Sequence, residues 1–164
     1  MNPRTALVPT QRTAALVIGA APCALLIAAF APGAWVVAPA LGAALLLVVL
    51  ADALLAGPVH DLAVTAPSDV EIGAETAFRV RAGFGAGTRG TVRCALAADP
   101  RLLPGGRAVA ALEPGEDGQW AAAVPCWPSR RGTGAVETVW LNWTGPLGLG
   151  ARQVARAVGQ PVRV

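Results

Sequence analysis

The residues able to do chemistry in this chain are few and scattered. One histidine (His60), two serines (Ser68 and Ser129) and three cysteines (Cys23, Cys94 and Cys126) are its only imidazole, serine hydroxyls and thiols. A Ser-His-Asp site would have to be built from these, and neither serine stands in a Gly-x-Ser-x-Gly elbow. A zinc site wants clustered Cys and His, and here they lie far apart. All thirteen basic residues are arginine. Without lysine there is neither a Walker phosphate loop nor a Schiff base. Gly85-Ala86-Gly87-Thr88-Arg89-Gly90 fits Gly-x-Gly-x-x-Gly, but it leads into a strand, so no helix N-terminus is offered to a pyrophosphate. It reads as a hairpin loop. No catalytic, cofactor-binding or metal-ligating residue is assigned; the chain is read as a non-enzyme with no cofactor.

The elements that carry these residues fall into two compositional parts. Charged residues make up 14% of the chain against about 25% in an average domain. The deficit is local: no charged side chain lies between Arg12 and Asp52. Residues 1–13 read as a polar tail bearing Arg4 and Arg12. Ala14 to Ala31 is an apolar run, Pro32-Gly33 breaks it, and Trp35 to Leu55 is a second run long enough for about 30 Å of hydrocarbon. Residues 14–56 are therefore expected to form a transmembrane helical hairpin (14–31 and 35–55), with Trp35 at a membrane–water interface. Arg4 and Arg12, with no further basic residue until Arg79, place both ends in the cytoplasm by the positive-inside bias. The expected location is the inner membrane, multi-pass, with a cytoplasmic soluble domain. A net charge of +3, with no arginines interleaved with aromatics, argues against nucleic acid as a partner.

After Gly57-Pro58 the period becomes two. In Thr76 to Phe84 the apolar positions Phe78, Val80, Ala82 and Phe84 alternate with Arg79 and Arg81; Thr91 to Ala97 repeats this around Arg93. Arg79, Arg81 and Arg93 are expected on one cationic sheet face near the bilayer surface. Val136 to Trp143 carries branched and aromatic residues on both faces, which predicts a central strand. Six to eight short strands over 61–164 indicate an antiparallel immunoglobulin-like β-sandwich. The fold class is thus membrane-anchored all-β: a two-helix transmembrane hairpin followed by that sandwich. Cys94 and Cys126 are expected as buried free thiols, with a bridge between them as the alternative.

The stretch from Cys126 to Gly150 concentrates Arg130, Arg131, three of the five tryptophans and a Gly-Pro-Leu-Gly-Leu-Gly turn. Arginine and tryptophan are enriched as interface anchors. Trp140 and Trp143 fall on opposite faces of their strand, leaving one of them for a partner. Arg130, Arg131, Trp143 and Leu147 are the expected partner-binding residues; Arg4, Arg12, Trp35, Arg79, Arg81 and Arg93 the expected membrane-surface residues.

The order of these pieces resembles the bacterial domain-of-unknown-function 58 family. Pro9-Thr10-Gln11-Arg12-Thr13 is similar to its Pro-Thr-x-Arg-Gly start, with Thr13 in place of glycine. Pro128-Ser129-Arg130-Arg131-Gly132 resembles its Arg-Arg-Gly step. Gly145-Pro146-Leu147-Gly148-Leu149 resembles its Asp-Pro-Phe-Gly-Leu turn, with Gly145 and Leu147 as departures. The resemblance implies a continuation into a von Willebrand A-like domain and association with a MoxR-type ATPase. The Asp-x-Ser-x-Ser metal motif of such a domain cannot be made from two isolated serines. The expected function is a membrane-tethered scaffold or assembly protein whose cytoplasmic sandwich docks a partner or its own C-terminal domain. The alternatives are an extracytoplasmic immunoglobulin-like binding module, or the non-catalytic part of a larger enzyme.

Overall fold

The computed structural model describes residues 4–115 and 117–164, except the side chains of Arg4 and Pro32. Two apolar helices are followed by strands that assemble into one antiparallel sheet. Helix α1 spans Gln11–Phe30 and α2 spans Val37–Leu55, joined by a 3-10 turn at Pro32–Ala34. At 1.5 Å rise per residue each is about 30 Å long. Both are long and apolar enough to cross a membrane, and only 6% and 11% of their most apolar windows is buried within the chain. α1 begins three residues before the expected 14, because the Thr10 side chain caps it by accepting from the Thr13 N–H. α2 ends where Gly57 takes a positive φ of 69°, the left-handed stop that glycine adopts without strain.

The expected polar tail is in part a strand. β1, Arg4–Pro9, pairs antiparallel with the last strand, Arg4 opposite Ala155 and Pro9 opposite Gly150. The other strands are β2 (Val59–Thr65), β3 (Thr76–Phe84), β4 (Val92–Ala98), β5 (Arg107–Pro114), β6 (Gln119–Cys126), β7 (Thr133–Thr144) and β8 (Gly150–Arg163). Their order in the sheet is β1-β8-β7-β4-β5-β6-β3-β2. β5 makes the corner: Arg107 to Leu112 pair with β4, while Glu113 and Pro114 pair with β6. The sheet curls there, so that its two halves face each other. β7 lies between β8 and β4, in the central position its two-faced apolar pattern predicts. The Gly85–Gly90 segment is not a hairpin loop, because β3 and β4 do not pair; it crosses from one half of the sheet to the other.

Alternation sets the core. Phe78, Val80 and Ala82 of β3, Val92, Cys94 and Leu96 of β4, and Val139, Leu141 and Trp143 of β7 are buried between the halves. Phe84 lies with its ring 5.2 Å from Trp143 and 6.1 Å, edge-on, from Trp120. The seam opposite the corner is closed by side chains and by backbone: Arg156 donates to the Leu62 carbonyl at 2.8 Å and Gln160 to that of Ala66 at 3.4 Å, while the Arg163 backbone accepts from the Val70 N–H at 2.9 Å and donates to the Ser68 carbonyl at 3.0 Å. Arg79 and Arg81 are exposed on β3 and Arg93 on β4, but β5 and β6 stand between those strands. The single cationic face expected of the three is therefore not formed.

Candidate functional site

The strands run up and down in sequence, so the connections alternate between two ends of the sheet. The helix-proximal end carries the start of α1, the end of α2, the 85–90 crossing and the β7–β8 turn. The opposite end carries the β2–β3, β4–β5 and β6–β7 connections and the last residue of β8. This divides the expected docking set. Arg130 and Arg131 are exposed at the distal end, where Gly132 and Val164 exchange backbone hydrogen bonds of 3.1 and 2.9 Å. Leu147 is exposed at the helix end. Trp143 is fully buried against Phe84 and donates its indole N–H to the Gly57 carbonyl at 3.3 Å, so it belongs to the core and cannot serve as a docking residue. Its neighbour on the outer face, Trp140, lies 4.7 Å beneath the Arg107 guanidinium. Among the described residues the one ion pair joins Arg101 and Asp99, at 4.0 Å, so no described acid pairs with Arg130 or Arg131.

The membrane-surface set divides too. Trp35 is exposed at the tip of the helix pair, about one 30 Å helix length from Arg12 in the first turn of α1. Arg12, Arg79, Arg81 and Arg93 are exposed, and the Arg4 side chain lies outside the described residues.

The most ordered polar constellation is the joint between helices and sheet, and it is centred on Asp52. This residue lies in the last turn of α2 and is 1% exposed. Its Oδ1 accepts from the Leu147 N–H at 2.7 Å; its Oδ2 accepts from those of Leu149 and Gly150, both at 2.8 Å. Three convergent amides form a concave donor nest, and a carboxylate is the side chain that answers it with acceptors alone. The carbonyls of the same turn are taken by the start of α1. Thr10 donates its hydroxyl to Gly148 at 2.7 Å and its N–H to Leu149 at 3.0 Å; buried Thr13 donates its hydroxyl to Leu149 at 2.6 Å. Each helix therefore bonds to one polarity of a single turn.

The glycines of that turn are required by proximity. A Cβ on Gly150 would lie 2.6 Å from the Ala53 Cβ, and one on Gly145 would lie 2.5 Å from Asp52 Oδ1 and closer still to its backbone oxygen. Further ties fix the end of α2: Arg152 donates Nε–H to the Ala53 carbonyl and Thr88 its hydroxyl to that of Ala56, both at 2.8 Å. Two of the three motifs behind the family resemblance, Pro9–Thr13 and Gly145–Leu149, thus touch each other, while the third, Pro128–Gly132, is at the far end. Asp52 was not singled out by sequence reasoning. Its signal was there: the one acid in an apolar run, and a glycine-rich turn whose amides need an acceptor.

Beside the joint, a groove of about 690 Å³ opens on the outer face, lined in part by Arg12, Arg89, Arg93, Asn142, Thr144 and Gln153. The other titratable groups are dispersed. His60 packs its ring over Gly83, where a Cβ would lie 2.8 Å from Cδ2. Cys94 and Cys126 are buried free thiols; burial raises both, that of Cys126 to about 11. Among the described residues no three His, Cys, Asp or Glu side chains are grouped to hold a metal ion. Comparison with protein-family models, with curated proteins and with solved structures finds no match.

Proposed function

We propose that this chain is a membrane-tethered scaffold: α1 and α2 enter the bilayer as a hairpin and hold the β domain against the cytoplasmic face of the inner membrane. The observation that carries this reading is the Asp52 joint. Two helices whose apolar sides are exposed in water would be a liability. Two such helices fastened at their polar ends to one turn of a folded sheet make a rigid mount. Arg12 lies at the sheet end of the hairpin, where the positive-inside bias wants it, and the buried unbridged thiols suit a reducing compartment. The strand neighbours support an immunoglobulin-like sandwich. β2-β3-β6-β5 and β4-β7-β8 are adjacent as A-B-E-D and C-F-G are in a constant-type domain, with β1 added at one edge.

The docking end is the one away from the helices. There Arg130 and Arg131 stand exposed beside Val164 and beyond the reach of the bilayer, as a cationic anchor for a protein partner. That partner is a von Willebrand A-like domain or a MoxR-type ATPase. The test is co-purification from detergent-solubilised membranes with a MoxR-type ATPase of the same organism. Arg130→Ala with Arg131→Ala should weaken recovery by about tenfold, while leaving the chain in alkali-washed membranes. Unchanged recovery removes the arginines from the docking surface, and loss of the unaltered chain from washed membranes removes the tether.

A further inference from the structure

The groove beside the joint joins charge, shape and position in a way the scaffold reading leaves unused. Three arginines line it from three elements: Arg12 from the first turn of α1, Arg89 from the crossing between β3 and β4, and Arg93 from β4. No described residue lining it is acidic. Its floor is a polar row across three strands, because Arg93 is opposite Asn142 and Asn142 is opposite Gln153, so the three share the outer face. Thr144 continues that face on β7 and donates its hydroxyl to the Arg89 carbonyl at 3.0 Å, holding the crossing against the strand. Over the turn, the Arg12 guanidinium lies 3.0 Å from where a Cβ on Gly148 would be.

Like charges gathered in one groove repel each other, and the first turn of α1 adds the positive end of a helix that carries no acidic side chain in that turn. A cation at that position of a helix is the disfavoured sign. The arrangement is stabilised by an anion that takes hydrogen bonds from several guanidinium forks at once, which is phosphate chemistry. The groove opens where the apolar length of α1 begins, the level at which lipid headgroups lie if the helix crosses a bilayer.

We infer that the groove formed by Arg12, Arg89 and Arg93 binds the phosphate of an anionic phospholipid headgroup, such as phosphatidylglycerol. This rests on the tethered reading above. The bound headgroup offsets part of the groove's positive charge and fixes the tilt of the β domain on the membrane surface, so that the distal arginines face away from the bilayer.

The experiment is lipid retention by the full chain, purified in neutral detergent and measured by native mass spectrometry. Phosphatidylglycerol and phosphatidylcholine are offered in equal amounts, with and without millimolar inorganic phosphate. The variants are Arg89→Gln with Arg93→Gln, and, as a charge-matched control, Arg79→Gln with Arg81→Gln. Circular dichroism checks that each folds. The expected result is retention of one phosphatidylglycerol in preference to phosphatidylcholine, weakened about tenfold by the groove pair and less than about twofold by the control pair. Equal retention of both lipids, or equal loss in both variant pairs, overturns the inference. Phosphate that displaces the lipid fully, and binds alone with the same arginine dependence, assigns the groove to a soluble phosphate and overturns the lipid source. Alkali extraction of the same variants keeps the two readings apart, because a chain that stays in the membrane without lipid preference loses only the groove.

Discussion

Replacing Asp52 by asparagine keeps the shape of the side chain and changes one atom, yet it should disable the joint. In one amide orientation the new NH2 faces the Leu149 and Gly150 N–H groups that Oδ2 now accepts from at 2.8 Å. In the other it faces the Leu147 N–H, now 2.7 Å from Oδ1. Either way all three buried donors lose a charged acceptor, and one or two of them meet another donor. A hydrogen bond to a charged group contributes about 1.5–3 kcal/mol, so the loss is about 2–5 kcal/mol. For a chain of this length 1 kcal/mol moves the melting temperature by about 2–4 °C, which sets the fall at roughly 10 °C. Thermal melting in micelles, followed by tryptophan fluorescence, reads the loss, and proteolysis between residues 145 and 150 reads where it occurs. Should Asp52→Asn fail to fold at all, Gly150→Ala tests the same contact by crowding Ala53, and Thr13→Val tests it from α1. An Asp52→Asn chain melting within about 2 °C of the parent would refute the account of the joint.

Two further outcomes follow from burial. Trp143→Ala should cost about 3–5 kcal/mol as a core deletion, whereas Trp127→Ala, at a side chain 47% exposed, should cost no more than about 0.5 kcal/mol; urea unfolding compares them. The buried thiols should make the fold alkali-sensitive. Because folding raises their pKa above the ordinary value near 9.0, their contribution is complete below pH 9 and is lost as the pH rises towards the folded value of about 11 for Cys126. Melting temperature against pH should therefore fall over that window, and Cys94→Ala with Cys126→Ala should flatten the fall.

Much of the sheet was legible because alternation is a local signal: β3 and β4 bury the side chains their period-two pattern marks. What was not legible depends on distant pairing. β1 sits in a short polar segment beside an apolar run, and only β8, far along the chain, makes a strand of it. The Gly85–Gly90 segment has hairpin composition, but the partners of its flanking strands lie elsewhere. Trp143 carries no local mark to distinguish core from docking edge; the closing of the sheet over Phe84 decides it. The separation of Arg130 and Arg131 from the 145–150 turn was in principle countable, since one intervening strand reverses the end of an up-and-down sheet. Asp52 escaped because a lone acid at the end of an apolar run looks like a boundary, and its partners are three backbone amides that no residue type announces.

The most direct test of the central claim is the side of the membrane on which the β domain lies. Cys94 and Cys126 are buried and their thiols held protonated, so they contribute little background labelling. Ser129→Cys in a Cys23→Ala chain puts a reporter at an exposed distal position. A membrane-impermeant maleimide should leave it unlabelled in intact spheroplasts and label it in inverted membrane vesicles. Labelling in intact spheroplasts would contradict the cytoplasmic scaffold and leave the extracytoplasmic binding module in its place.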